Sequence, residues 1–279
     1  MIYRRYIMRK LGVSIIGAHP ENVSVTDQIR LFAQVGFDCV FIGTGANTPI
    51  DEVKRIAKTA CECGVEIETI HAPFGGVNDL WRDEASGDAY LGVMKTIIDH
   101  CRAGDIHKMI MHVTIGNTAP DVSAVGLDRF ARLEEYAEKN EVRLCYENLE
   151  PLPHLHEVMK HAGSYHGFCL DIGHNCCYTP HIPMMQLYGN RILCTHIHDN
   201  LGVTQPGNID YRDDLHLLPF DGILDWKWFA KTLSGTGYTG PLTFELSCAN
   251  RTAYKEVTFE AFVRDAFERA VKIRNMMEE

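Results

Sequence analysis

The sequence predicts a single (β/α)8 TIM barrel, and three observations carry that prediction. Eight short apolar, β-branched runs alternate with helical patterns along the chain. Its 279 residues match the roughly 250 that such a barrel needs, with no linker or remainder for a second domain. The first run leads into GAHPENVS, which lacks the glycine-rich phosphate fingerprint of the open, doubly wound alternative. One domain is therefore expected over 1–279, with 1–10 as an N-terminal extension and 254–279 as the closing helix.

Strands are expected at LGVSIIG (11–17), DCVFIG (38–43), VEIETIH (65–71), KMIMHVTI (108–115), VRLCYEN (142–148), HGFCLDIG (166–173), RILCTHIH (191–198) and PLTFELS (241–247). Their continuous or alternating apolar character suits strands covered on both faces. SVTDQIRLFAQVGF reads as the first helix, with Ser24 as its N-cap and Gly36 as its stop. TPIDEVKRIAKTACECG places Pro49 in a first turn and ends at Gly64. DAYLGVMKTIIDHCRAG, VGLDRFARLEEYAEKN and DWKWFAKTLSGTG follow the same logic, and a long helix from Tyr254 to Met277 closes the chain. Shorter helices flank LDIGH.

Composition narrows the function. At 46% hydrophobic and 23% charged, the chain can bury a sizeable core. No run approaches the ~18 apolar residues of a membrane span. MIYRRYIMRK lacks the apolar stretch of a secretory signal. A net charge of −10 disfavours nucleic-acid backbone as the main partner. Among ten cysteines, Cys39, Cys145, Cys169 and Cys194 lie in apolar runs and read as small buried hydrophobes. Cys61-x-Cys63 and Cys176-Cys177 lack a second pair at zinc-finger spacing. A reducing cytoplasm is the expected location.

The third to eighth strands each end in a residue able to bind a metal. They are His71 in TIHAPF, His112 in MIMHV, Glu147 in CYENLE, Asp171 and His174 in CLDIGH, His196 and His198 in THIHDN, and Glu245 in TFELS. The loop after the seventh strand adds Asp214 and His216. In a barrel all strand C-termini surround one mouth, so these scattered residues converge on one point. A lone histidine at a strand end is usually a hydrogen-bonded structural residue. Carboxylates within apolar runs, such as Glu147 and Glu245, instead need a counter-charge. The strand-to-helix loops offer only Arg82, Arg212 and Arg251, so a divalent ion is the simpler partner. With period 2, His196 and His198 point the same way. His19, His100, His107, His154, His156, His161 and His181, on helices or loops, read as surface residues.

HAPF (71–74), YENLEP (146–151), LDIGHN (170–175), THIHDN (195–200), DLHLLPFDGILDW (214–226) and FELS (244–247) span most of the chain. In this order they resemble the xylose isomerase-like barrel superfamily. That superfamily includes sugar isomerases and epimerases of the tagatose 3-epimerase group, inosose dehydratases and the endonuclease IV type of DNA-repair enzyme. The resemblance implies four metal ligands, Glu147, Asp171, His196 and Glu245, with His198 in a neighbouring role. It also implies that His174 and His216 contact substrate, and His71 and His112 join them as substrate-binding candidates. One departure stands out. Relatives often carry two glycines after the D-x-H triplet, whereas here Phe220 occupies the first place and only Gly222 remains.

Three carboxylates and one imidazole favour a single Mn²⁺, Mg²⁺ or Co²⁺ over Zn²⁺. Such an ion would acidify the proton α to a sugar carbonyl and stabilise the enediolate. Glu147 and Glu245 are then the catalytic acid–base pair, giving epimerisation, or isomerisation when the proton moves to the neighbouring carbon. A dehydratase or lyase on a keto-sugar would use the same site. The rival reading is an endonuclease IV-like zinc phosphodiesterase on abasic DNA, with His71, His112, His174, Asp214 and His216 completing a further metal cluster. Against it, the loops hold three arginines and no lysine, and GTGANTP has nothing basic or aromatic to enter a duplex. The same scarcity of cations favours an unphosphorylated sugar or keto-sugar, with no nucleic acid or membrane partner. Phe74, Trp81, Tyr178, Tyr211 and Phe220 are candidates to pack on its ring. A metal-stabilised binding subunit and a homo-oligomer both stay open.

Overall fold

The computed structural model describes residues 8–149, 152–206 and 209–278. All eight expected runs form strands: β1 (Leu11–Ser14), β2 (Cys39–Gly43), β3 (Glu66–His71), β4 (Lys108–His112), β5 (Arg143–Glu147), β6 (Gly167–Asp171), β7 (Ile192–His196) and β8 (Leu242–Phe244). They pair in parallel in the order β7-β6-β5-β4-β3-β2-β1-β8. The last seam closes beside β7 and β8. There the Ile197 N–H donates to Thr243 O (2.9 Å) and the Glu245 N–H to Ile197 O (3.1 Å). The result is the single (β/α)8 barrel that the alternation predicts.

The helices are α1 (Val25–Val35), α2 (Ile50–Cys63), α3 (Ala85–Ala103), α4 (Ala124–Lys139), α5 (Leu152–His161), α6 (Ile172–Cys177), α7 (Met184–Tyr188), α8 (Trp226–Gly235), α9 (Thr252–Lys255) and α10 (Phe259–Met276). Ser24 caps α1 by accepting the Asp27 N–H (3.2 Å), and Gly36 ends it at φ 119°, where a side chain would be strained. Pro49 sits just before α2 rather than in its first turn, because the Thr48 hydroxyl turns back to accept the Gly45 N–H (3.0 Å). The long closing helix expected from Tyr254 is instead two helices. Thr258, extended at ψ 153°, breaks it and caps α10 by accepting the Ala261 N–H (3.2 Å). Residues 1–7 of the expected extension, Glu150 and Pro151 of YENLEP, and Glu279 lie outside the described residues.

Packing places the site. Around the barrel, Phe32, Trp81, Phe229, Phe259 and Phe262 fill the layer between strands and helices. Inside, side chains alternate inward along each strand and therefore stack in layers. One layer is dry: Ile110, Cys145, Cys169 and Cys194. Two residues further along the same strands come His112, Glu147, Asp171 and His196, aligned across the sheet as His112↔Glu147 and Asp171↔His196. Cys39, Cys145, Cys169 and Cys194 are free and buried, as expected of small hydrophobes. Nearer the strand N-termini, Glu68 is buried against Lys108 (2.7 Å) and accepts a hydrogen bond from Thr243. No described helix is long and apolar enough to cross a membrane.

Candidate metal centre

Glu147, at the end of β5, is fully buried. Its Oε1 lies 2.8 Å from His196 Nδ1, and its Oε2 lies 3.1 Å from both His71 Nε2 and His112 Nε2. The same His196 Nδ1 is 3.0 Å from Glu245 Oε2 and 3.9 Å from Asp171 Oδ2. Glu147, Asp171, His196 and Glu245 thus bring four ligand atoms within 4.8 Å of one another, where the strand ends were expected to meet. Asp171 is held hard. It caps α6 by accepting the His174 N–H (2.6 Å), and Asn148 pairs with both its backbone N–H (2.8 Å) and its carbonyl (2.7 Å).

The five residues grouped from sequence as one possible further cluster divide into two groups. His71 and His112 gather on Glu147, which they share with the central four. His174, His198, Asp214 and His216 form the other, with Asp214 Oδ2 3.2 Å from His174 Nε2 and 3.0 Å from His216 Nε2. His198 was not assigned to that group from sequence. His216 reaches it at φ 48°, a left-handed conformation that a non-glycine residue adopts only when its surroundings enforce it.

Among the described residues, a permanently cationic side chain is what the site lacks. Arg82, Arg212 and Arg251 pair elsewhere, with Asp79 (2.7 Å), Asp210 (2.6 Å) and Asp221 (2.7 Å). Burial works against ionisation throughout, yet the groups ionise one another. Burial lowers His196, but Glu245 and Glu147 hold it well above the usual imidazole range. Asp171 and Asp214 do the same to His174, and Asp214 and Glu245 bring His216 up to about 9. Burial raises Glu147, Asp214 and Glu245, but neighbouring imidazoles hold all three well below the usual carboxylate range. His112 is the exception, lowered by its burial. The site therefore demands positive charge, which imidazolium protons or divalent ions can supply. Carboxylate and imidazole donors at this spacing fit such an ion.

Above the centre opens a cavity of about 600 Å³. His71, His112, His174, Asp214, His216 and Glu245 line its polar side, and Ile15, Phe41, Pro73 and Phe74 its apolar side. Glu245 faces the cavity; Glu147 does not. Of the five aromatic candidates only Phe74 lines it, stacked on His112 with centroids 4.9 Å apart. Trp81 is instead core, its Nε1 donating to Val113 O (2.7 Å), and Phe220 packs on Trp226 (5.8 Å). Phe220, at φ 74°, adopts the left-handed conformation that glycine favours. Phe41, which sequence reasoning missed, stacks on His196 at 4.4 Å. Three histidines read as surface residues are buried: His19 meets Val257 O (3.1 Å), His100 the Thr44 hydroxyl (3.2 Å) and His154 Pro120 O (2.8 Å). His107, His156, His161 and His181 are exposed as expected.

A family model described as xylose isomerase-like TIM barrel matches residues 29–266. D-psicose 3-epimerase from Clostridium cellulolyticum H10, solved with D-tagatose, superposes at a TM-score of 0.75 with 15% identity, covering 95% of this chain and 99% of that one. The IolI protein, solved with a bound zinc atom, superposes at 0.76 with 17% identity, covering 94% and 98%. At such identities the likeness is one of fold. An uncharacterized protein of Sinorhizobium fredii, y4fM, is 39% identical over 87 residues, 31% of this chain and only 25% of that protein's own length.

Proposed function

The chain belongs to the xylose isomerase-like TIM barrel family, and from that premise we propose that it is a divalent-metal-dependent sugar isomerase or epimerase. The observation that carries this reading is the meeting of Glu147, Asp171, His196 and Glu245 within 4.8 Å, beneath a sugar-sized cavity. The epimerase among its structural neighbours supports it. These four would hold the ion, and their oxygen-rich set suits Mn²⁺, Mg²⁺ or Co²⁺ better than Zn²⁺. When bound, the ion polarises the sugar's adjacent oxygens and stabilises charge that develops on deprotonation.

Glu245, facing the cavity, removes the proton α to the carbonyl. Glu147 is its partner, and His71, which lines the cavity, touches Glu147 Oε2 with its Nε2 and donates from Nδ1 to Ala72 O (2.7 Å), which ties Glu147 to the cavity wall. A proton delivered from the Glu147 side to the opposite face of that carbon, while Glu245 keeps the one it took, inverts it; transfer by Glu245 to the neighbouring carbon isomerises the sugar. His71, His112, His174 and His216, which line the cavity, would hold hydroxyls.

The substrate is read as unphosphorylated. Among the described residues no lysine or arginine lines the cavity. The N-termini of α2 and α6 already face acidic side chains, Asp51 and Glu52 in α2 and Asp171 on α6, which disfavours phosphate there. Ten free cysteines support a reducing compartment such as the cytoplasm. Incubating Mn²⁺-loaded protein with a panel of ketoses in D₂O tests the reading. Solvent deuterium should enter the α carbon of a product, and no exchange with any ketose rejects it.

One observation favours the second reading, an endonuclease IV-like zinc phosphodiesterase: the group on His71 and His112 and the group on Asp214 adjoin the central four. Nicking of an abasic-site duplex by protein carrying three zincs would select it. One ion per chain with α-proton exchange selects the sugar enzyme.

A further inference from the structure

We propose that His198 is no metal ligand but the positioning residue of Asp171, locked by Asn200 into the tautomer that carries its hydrogen on Nε2. The proposal rests on the metal reading of Asp171, though its first test does not.

Asn200 sets the arrangement. The Leu215 N–H donates to Asn200 Oδ1 at 2.6 Å, which fixes the amide. Rotated by half a turn, that amide would oppose its own N–H₂ to the Leu215 N–H and its oxygen to the Gly173 carbonyl. The Asn200 Nδ2 hydrogens therefore point to Gly173 O (3.0 Å) and His198 Nδ1 (3.4 Å). A donor facing Nδ1 requires a lone pair there, so the ring hydrogen sits on Nε2. That nitrogen lies 3.1 Å from Asp171 Oδ1 and 3.2 Å from Oδ2. One N–H spanning both oxygens fixes the plane of the carboxylate and leaves its remaining lone pairs for the central ion.

The same hydrogen removes Nε2 as a ligand of the neighbouring group. Asp214 Oδ1 stands 4.0 Å away from it, and His174, Asp214 and His216 are left to form that group alone. Packing holds the ring in this orientation. His198 is fully buried and stacks face to face on His216, centroids 3.9 Å apart and 7° from parallel. Beneath it runs Gly173, where a Cβ would stand 2.1 Å from the His198 ring. The glycine of LDIGHN and the second histidine and asparagine of THIHDN thus form one device: glycine admits the ring, asparagine selects its tautomer, and the ring aims the aspartate.

Long-range ¹H–¹⁵N spectra of the full-length, metal-free protein, assigned with His198→Gln, read the tautomer directly. The expected pattern is hydrogen on Nε2. Hydrogen on Nδ1, or a zinc-induced shift of Nε2 diagnostic of direct ligation, overturns the proposal. His198→Leu, which leaves no N–H against Asp171, should lower Mn²⁺ affinity by about 10–100-fold, whereas His198→Gln, whose amide N–H reaches a similar place, keeps most of the affinity. Wild-type Mn²⁺ affinity in His198→Leu also overturns it. Should the tautomer be as expected in a protein that binds no central ion, the proposed enzyme function fails and the tautomer assignment stands.

Discussion

Glu147→Gln is the most informative single change. The substitution keeps the side chain's shape, but replaces one acceptor oxygen by a donor and removes a charge. Those oxygens meet three imidazoles, at 2.8 Å from His196 and 3.1 Å from both His71 and His112. They also belong both to the central four and to the group built on His71 and His112. Losing a charged ligand should weaken the central site by about 100-fold, roughly 2.8 kcal/mol. With Mn²⁺ at 100 times the wild-type Kd, wild type gains about 2.7 kcal/mol, and the variant, now at its own Kd, about 0.4 kcal/mol. At about 2–4 °C per kcal/mol for a chain of this size, the metal-induced rise in Tm is about 5–11 °C in wild type and about 1–2 °C in the variant. Thermal unfolding with and without Mn²⁺, paired with metal analysis, measures both. Asp214→Asn, which touches neither group, is the control and should keep the wild-type response to Mn²⁺. Wild-type metal content and a wild-type rise in Glu147→Gln would refute the idea that these distant side chains share an ion.

Three further outcomes are expected. Glu245→Gln, changing the member of the pair that faces the cavity, should cut α-proton exchange by at least about 10²-fold with folding intact; near-normal exchange in both this and Glu147→Gln rejects the acid–base assignment. Lys108→Met strands the buried Glu68 carboxylate and should destabilise the protein by about 3–5 kcal/mol in urea unfolding, most of it recovered by adding Glu68→Gln; an unaffected single variant would show the pair to be dispensable. His166 is buried and its Nδ1 accepts the Leu144 N–H (3.0 Å), and burial lowers it to about 4. Since the folded state favours its neutral form, its contribution is complete above the ordinary value near 6.5 and is lost as pH falls from there toward 4. That loss amounts to roughly 3 kcal/mol. Unfolding curves at pH 7, 5 and 4 should show it in wild type and show less of it in His166→Asn.

The barrel and the meeting of the four residues proposed as ligands were legible because both rest on periodicities that no tertiary detail overrides. Alternation along a strand decides which residues face inward, and parallel closure brings every strand end to the same mouth. Features that depend on one side chain finding another far along the chain were not legible. Glu68 looks like the polar member of an alternating strand, and its partner Lys108 lies 40 residues away. The division of the extra histidines between Glu147 and Asp214 depends on rotamers. His100 carried a local signal that was passed over: it shares an apolar helix face with Ile97 and Cys101 in α3. So did Thr258, a hydroxyl residue able to cap a new helix where a continuous one was read.

One further signal stood in the sequence and ties core to site. Cys145-x-Glu147, Cys169-x-Asp171 and Cys194-x-His196 repeat a cysteine two residues before a ligand on three adjacent strands. Two residues is one inward step, so each thiol lies directly under the ligand of its own strand. An eight-stranded barrel is only just wide enough for its own side chains. On β4 the same layer holds the larger Ile110, and the three small thiols leave it room beneath the residues whose candidate ligand atoms lie within 4.8 Å of one another. The small thiols fit between the strands directly beneath Glu147, Asp171 and His196, three of the residues proposed as ligands.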